Sequence, residues 1–170
     1  MTTATGVLAF GSNNSGQLGL GEQSMLTCRV PTSIPGLNNM MVVQVVCGAA
    51  HTLCVTAQSQ VSESLSLSKR SPTFRWLSRP IPLPLQVFAW GANSVGQLGL
   101  GDCRDRWAPA LVDTLWALPV VQLAAGDGHS LALTTNGHMF AWGSNDSGQL
   151  GLLPDAEHAA SSYISPGKNQ

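Results

Sequence analysis

Charge is scarce in this chain: of 170 residues only 10% are Asp, Glu, Lys or Arg, and the formal net charge is −1. No basic stripe is present to neutralise a phosphate backbone, which excludes an electrostatic nucleic-acid surface. Apolar runs fall well short of the ~18 consecutive residues of a membrane-spanning helix. The stretch Met1–Phe10 has neither the basic region nor the apolar core of a secretory leader. A cytoplasmic or nuclear setting without membrane contact is therefore expected.

Catalytic signatures are also missing. No G-x-S-x-G, H-E-x-x-H or Cys-His pair occurs, and the carboxylates Asp102, Asp105, Asp113, Asp127, Asp146, Asp155 and Glu157 lie mainly in expected loops. The four cysteines, Cys28, Cys47, Cys54 and Cys103, form no C-x-x-C motif and no group with histidines, as expected of reduced thiols. Cys47 and Cys54 stand at apolar positions of expected strands, where burial is predicted. The sequence thus points to no enzyme, with no catalytic, cofactor-binding or metal-ligating residue to nominate.

What the chain has is repetition. Gly-Gln-Leu-Gly-Leu occurs three times, inside V-L-A-F-G-S-N-N-S-G-Q-L-G-L-G from Val7, V-F-A-W-G-A-N-S-V-G-Q-L-G-L-G from Val87, and M-F-A-W-G-S-N-D-S-G-Q-L-G-L from Met139. A second motif alternates with it: V-V-Q-V-V-C-G-A-A-H-T-L-C-V-T from Val42 and V-V-Q-L-A-A-G-D-G-H-S-L-A-L-T from Val120. Internal repetition of this kind decides architecture before any single residue does.

The apolar, β-branched runs Val42–Cys47 and Val120–Ala125 read as first strands, Thr52–Thr56 and Ser130–Thr134 as second strands, and the V-F-A-W-G and M-F-A-W-G segments as third strands. Asn136-Gly137 marks a hairpin turn between the second and third. A weaker fourth strand is expected at Ala110–Val112. In the third strand, alternation places Phe88 and Trp90 on one face and Ala89 on the other, with Phe140 and Trp142 alike. The recurring Asn-x-x-Gly (Asn13-Gly16, Asn93-Gly96, Asn145-Gly148) suits a side-chain-capped turn, with Leu98 and Leu100 buried beneath it. Four-stranded sheets of about 50 residues, repeated radially, make a β-propeller, because each sheet buries its faces only against the next.

These residues resemble the regulator of chromosome condensation repeat family, whose units carry V-x-Q-V-x-x-G-x-x-H-[ST]-L-x-L-T followed by V-[FY]-x-W-G-x-N-x-x-G-Q-L-G-x-G. The resemblance covers nearly all of residues 5–152. It implies an all-β fold in which seven repeats normally close a ring, whereas this chain holds about two and a half. The expected fold is a partial propeller, an open arc of four-stranded antiparallel sheets, with repeat pieces at about 5–38, 39–118 and 119–152 and a loosely ordered tail at 153–170. Open sheet edges imply marginal stability, self-association, or assembly with further repeats.

The frame is broken once. Gly126 to Gly143 spans 17 residues but Gly48 to Gly91 spans 43, so 26 extra residues, 61–86, lie in the hairpin between a second and a third strand. They carry Lys69, Arg70, Arg75 and Arg79 against Glu63, a solvated loop in charge terms. Excision joins Gln60 to Val87 and restores the repeat without a gap. Val61-Ser62 can be encoded by a splice-donor sequence, Gln86 by CAG, and P-I-P-L-P-L by a pyrimidine-rich tract. A retained intron read in frame is the expectation, and a genuine surface loop, tolerated at a hairpin tip, is the alternative.

His51 and His129 recur at matching positions, so a structural hydrogen bond to a turn or neighbouring sheet is expected of them rather than catalysis. His138 and His158 have no partner at ligand spacing. G-Q-L-G-L-G lacks the order of a dinucleotide loop and the lysine of a P-loop. Trp107 and Trp116 stand outside the repeated strands; packing under a connecting loop is expected, and exposure as a binding anchor is the alternative.

The resemblance implies protein partners and no cofactor. It includes binding domains attached to ubiquitin ligases and other large regulators, and the founding member's guanine nucleotide exchange on a small GTPase. An interaction module is the preferred reading and exchange the alternative. The partner-binding residues stay unknown, since no exchange wedge can be carried over residue by residue. Plant ultraviolet-B receptors share the repeat but depend on G-W-R-H-T, where this chain has G-A-A-H-T and G-D-G-H-S.

Overall fold

A computed structural model describes residues 6–22, 24, 26–38, 40–57, 85–116 and 118–152. Among them nine strands form three antiparallel sheets. The first sheet pairs β1 (Leu8–Ser12) with β2 (Thr27–Ser33). The second runs in sequence order through β3 (Met41–Cys47), β4 (His51–Ala57), β5 (Leu85–Gly91) and β6 (Arg106–Leu111). The third holds β7 (Val120–Ala125), β8 (His129–Thr134) and β9 (Met139–Gly143). Short 3₁₀ turns at Pro35–Leu37 and Asp113–Leu115 link one sheet to the next. This is the open propeller arc expected from the repeats.

The predicted strands form, with two differences of extent. The fourth strand of the second sheet begins at Arg106 and ends at Leu111, earlier than the expected Ala110–Val112, and Val112 instead leads into the 3₁₀ turn. Strand β5 begins at Leu85, so the last two residues of the 61–86 insertion already pair with β4, Leu85 opposite Ala57 and Gln86 opposite Thr56. Residues 61–84 and the tail 153–170 lie outside the described residues.

Two cores lie between the three sheets, and strand alternation assigns side chains to them. Leu53 and Val55 of β4 and Val87 and Ala89 of β5 face the third sheet, meeting Leu123, Ala132 and Trp142. Cys54 and Trp90 face the first sheet with Ile34 and Leu37, and Phe88 packs beside them. Strand β4 is buried from His51 to Thr56, the consequence of a sheet covered on both faces. Strand β3 differs: Met41, Val43, Val45 and Cys47 alternate outward to solvent. The predicted burial of Cys47 therefore fails. Cys47 pairs with Thr52 on the face turned toward the first sheet, and the described part of that sheet, β1 and β2, leaves it exposed.

Candidate functional site

The polar chemistry of the chain converges on the joints between sheets. After each third strand the chain enters the Asn-x-x-Gly turn, closed by Gly16 N–H to the Asn13 carbonyl (3.1 Å), Gly96 to Asn93 (3.0 Å) and Gly148 to Asn145 (3.0 Å). The asparagine side chain then accepts the amide two residues past the glycine: Leu18 to Asn13 Oδ1, Leu98 to Asn93 Oδ1 and Leu150 to Asn145 Oδ1, each 3.0 Å. The glutamine side chain folds back to take the amide two residues before it, Ser15 to Gln17 Oε1 at 2.9 Å and Val95 to Gln97 Oε1 at 3.0 Å. Side chain and backbone thus fix one loop conformation, and its glutamine carbonyl is left pointing at the next sheet.

That carbonyl is the acceptor of the joint. Trp90 Nε1 and Thr52 Oγ1 both donate to the Gln17 carbonyl at 2.9 Å. One sheet further on, Trp142 Nε1 donates to the Gln97 carbonyl at 2.9 Å and Ser130 Oγ at 2.7 Å. The indole lies so close to the loop that only glycine fits beneath it. A Cβ on Gly19 would stand 2.8 Å from Trp90 Nε1, and one on Gly99 2.8 Å from Trp142 Nε1, each at positive φ.

The second joint carries two further links. Gln44 of β3 donates through Nε2 to the Leu123 carbonyl (3.1 Å) and accepts the Leu123 amide through Oε1 (2.8 Å), as a backbone strand would. His51 Nε2 lies 2.9 Å from Ser130 Oγ. Since the Ser130 proton is committed to Gln97, His51 donates from Nε2 and its Nδ1 is the bare acceptor, which is buried and unpartnered among the described residues. Burial, and then the neighbouring His129, holds the His51 imidazole down to about 4. A neutral ring at physiological pH is a structural hydrogen-bond donor, seated over Gly48.

The other singled-out residues separate cleanly. Cys54 is buried and its thiol is pushed up to about 12 by that burial, so it is inert. Cys47 and Cys103 are exposed. Asp102 is held below the usual carboxylate range by the Arg104 amide and by Arg106, whose Nη2 lies 2.6 Å away; Asn93 Nδ2 also donates to it. This pair orders the loop that follows Gly101. Trp107 packs against Gly16, as expected for a tryptophan under a loop. Trp116 does not: at the end of the second 3₁₀ turn it is 50% exposed. Among the described residues no three His, Cys, Asp or Glu side chains are grouped to hold a metal ion, and no helix is long and apolar enough to cross a membrane.

Sequence reasoning singles out the tryptophans, asparagines and glycines of the joint but not its centre, which is a main-chain oxygen. The usable signal is the invariance of Gln-Leu-Gly within the chain itself, since a residue that only fills space does not have to recur as glutamine.

The regulator of chromosome condensation (RCC1) repeat profile matches residues 6–55, 86–133 and 136–166, and a second profile of the same repeat matches 120–149. Among curated proteins the chain is 42% identical over 125 residues to the probable E3 ubiquitin-protein ligase HERC4 of Mus musculus, covering 73% of this chain and 9% of that protein. It is 40% identical over 147 residues to human HERC6, described in the same words, covering 86% and 12%. It is 32% identical over 146 residues to the ultraviolet-B receptor UVR8 of Arabidopsis thaliana, covering 86% and 27%. The chain thus spans a small part of the relatives it matches. Among solved structures it superposes on human WBSCR16 with TM-score 0.66 at 22% identity, over 99% of this chain and 36% of that one. It superposes on a structure of Kap60 bound to yeast RCC1 with TM-score 0.68 at 17% identity, over 95% and 33%. At these identities the likeness is one of fold.

Proposed function

Because the chain belongs to the regulator of chromosome condensation (RCC1) repeat family, we propose that it is a non-catalytic protein-interaction module, working in the cytoplasm or nucleus as part of a larger regulatory propeller. One observation carries this reading: the polar groups that recur from repeat to repeat are consumed in joining sheets, while Trp116 stands half-exposed on a connector between them. A tryptophan held at a loop by a buried neighbour, here Leu115, offers a large apolar area at low entropic cost to a partner protein. The relatives support the reading at the level of class, since one repeat framework occurs in proteins with very different names.

The test is affinity capture from cytosolic and nuclear extract with the wild-type chain and with Trp116→Ala. Partners lost with Trp116→Ala at unchanged thermal stability support the reading, and identical partner sets refute the role of Trp116. A nucleotide-release assay on small GTPases runs beside it. Acceleration by this chain would replace the module reading with guanine nucleotide exchange, which acts by binding the nucleotide-free GTPase more tightly than its nucleotide complex.

The insertion belongs to the same proposal. We read residues 61–86 as a retained intron. The family profile breaks off at 55 and resumes at 86, and excision leaves a glutamine, Gln60, directly before Val87, where Gln86 now stands. Sequencing transcripts across codons 60–87 decides it: a predominant message without codons 61–86 is expected, and one that retains them in full-length transcripts makes the loop genuine.

A further inference from the structure

The two 3₁₀ connectors align without a gap, Ile34-Pro35-Gly36-Leu37-Asn38 against Val112-Asp113-Thr114-Leu115-Trp116. Their inward positions agree: Ile34 and Leu37 are buried in the first, Val112 and Leu115 in the second. Their outward positions differ in kind. In the first connector both are spent on structure, since Pro35 opens the turn and Asn38 Oδ1 accepts the Ser33 hydroxyl at 2.8 Å. In the second they are an acid and an aromatic, Asp113 and Trp116, both exposed. Side chains three apart in a 3₁₀ turn stand one above the other. The Trp116 amide closes this turn on the Asp113 carbonyl at 3.0 Å, and Thr114 Oγ1 ties it to the Gly99 carbonyl at 3.4 Å. Among the described residues the one ion pair is Asp102 with Arg106, and neither the Asp113 carboxylate nor the Trp116 indole N–H takes part in a hydrogen bond. The connector joins the second sheet to the third, so the exposure of this pair does not come from an end of the arc.

We propose that Asp113 and Trp116 together seat a cationic side chain, arginine or lysine, of a partner protein. The carboxylate pairs with the charge, and the indole face lies against it. Charge argues the occupant. A purely apolar partner covering Trp116 would strip water from the Asp113 carboxylate without compensation, and an acidic partner would be repelled by it. A cation is attracted by both groups at once. The backbone hydrogen bonds of the turn and the buried Leu115 hold the two groups in place before the partner arrives, which lowers the entropic cost of docking. This rests on the module reading above and gives its partner a chemistry.

Titration of the isotope-labelled 170-residue chain with a capped peptide of alternating glycine and arginine tests it by NMR, beside a peptide in which citrulline, the neutral isostere, replaces arginine. The arginine peptide is expected to shift the Trp116 indole resonance and the Leu115 and Leu118 amides, and the citrulline peptide to shift them far less. The response weakens as salt rises from about 0.05 to 0.5 M. Read at the Leu115 and Leu118 amides, Asp113→Asn and Trp116→Leu each weaken binding roughly three-fold, and Asp113→Glu restores it. Both positions are exposed, and circular dichroism checks each fold. A Trp116 indole that does not respond, a citrulline peptide that binds as well as the arginine one, or an Asp113→Asn chain that binds like wild type would each overturn the proposal. Capture from extract separates this outcome from failure of the module reading: partners lost with Trp116→Ala but kept by Asp113→Asn leave the module standing and remove the cation.

Discussion

Trp142 Nε1 and Ser130 Oγ, 12 positions apart on adjacent strands, donate to the same oxygen, the main-chain carbonyl of Gln97. A carbonyl has two lone pairs, and at this joint both are used by the neighbouring sheet. The loop is held by its backbone, so its side chains are free to cap the turn that shapes it.

Removing one donor should therefore weaken the joint without destroying it. Trp142→Phe keeps most of the apolar ring and loses the indole bond, at a cost of about 1 kcal/mol. Gly99→Ala should cost more, because it places a Cβ at φ +71 against the ring. Urea denaturation checks both. The midpoint falls in the order wild type, Trp142→Phe, Gly99→Ala, and an unchanged Gly99→Ala midpoint would show that the indole does not sit on the loop.

Stability should also fall with acid through His51. Its imidazole titrates at about 4 in the fold against 6.5 outside it, so between these values the unfolded chain binds the proton that the folded chain refuses. The contribution is complete above pH 6.5 and is lost as the pH falls toward 4, on the order of 3 kcal/mol at most. Thermal melts from pH 7.5 to 4.5 check this: the downward slope over that window is shallower in His51→Gln, which keeps a donor for Ser130 and does not titrate.

The thiols should react unequally. Cys47 and Cys103 are exposed, whereas Cys54 is buried with its thiol pushed up to about 12. Brief alkylation by iodoacetamide at pH 8, read by mass spectrometry, is expected to label the first two and spare Cys54 until denaturant is added. Labelling of Cys54 at the rate of Cys47 in the native state would contradict the packing of β4.

Deleting residues 61–86 should stabilise the second sheet. In the third sheet Thr134 Oγ1 donates to the His138 carbonyl at 3.0 Å across a tight hairpin, while the matching Thr56 Oγ1 is buried and has no partner among the described residues. Excision puts Gln60 at the position of His138 and gives Thr56 its acceptor, for about 1 kcal/mol. A melting temperature raised by a few degrees is expected. A lower one would make the insertion part of the fold.

The sequence marks some of these elements better than others for identifiable reasons. Strands β3, β4, β7, β8 and β9 fall within a residue of expectation, because β-branched runs end on glycine and occur in two aligned copies. Strand β2 is hard to place, since T-C-R-V-P-T-S has no apolar run and carries a proline. The misjudged burial of Cys47 has another origin: its strand pattern is that of a covered sheet, and exposure depends on how far the neighbouring sheet extends. The division of the tryptophans is likewise tertiary, with Trp107 packed against Gly16 of the neighbouring repeat and Trp116 half-exposed.

The shared carbonyl also bears on the order in which the chain folds. Trp142 reaches back 45 residues to Gln97, and Trp90 reaches back 73 to Gln17, the longer span containing the insertion. Closing the longer loop costs only about 0.4 kcal/mol more, a factor near two in rate. Each joint takes its acceptor from the earlier sheet and its donors from the later one, so the acceptor always comes first along the chain. A nascent polypeptide, which emerges in that same direction, would meet each acceptor already waiting for its donors.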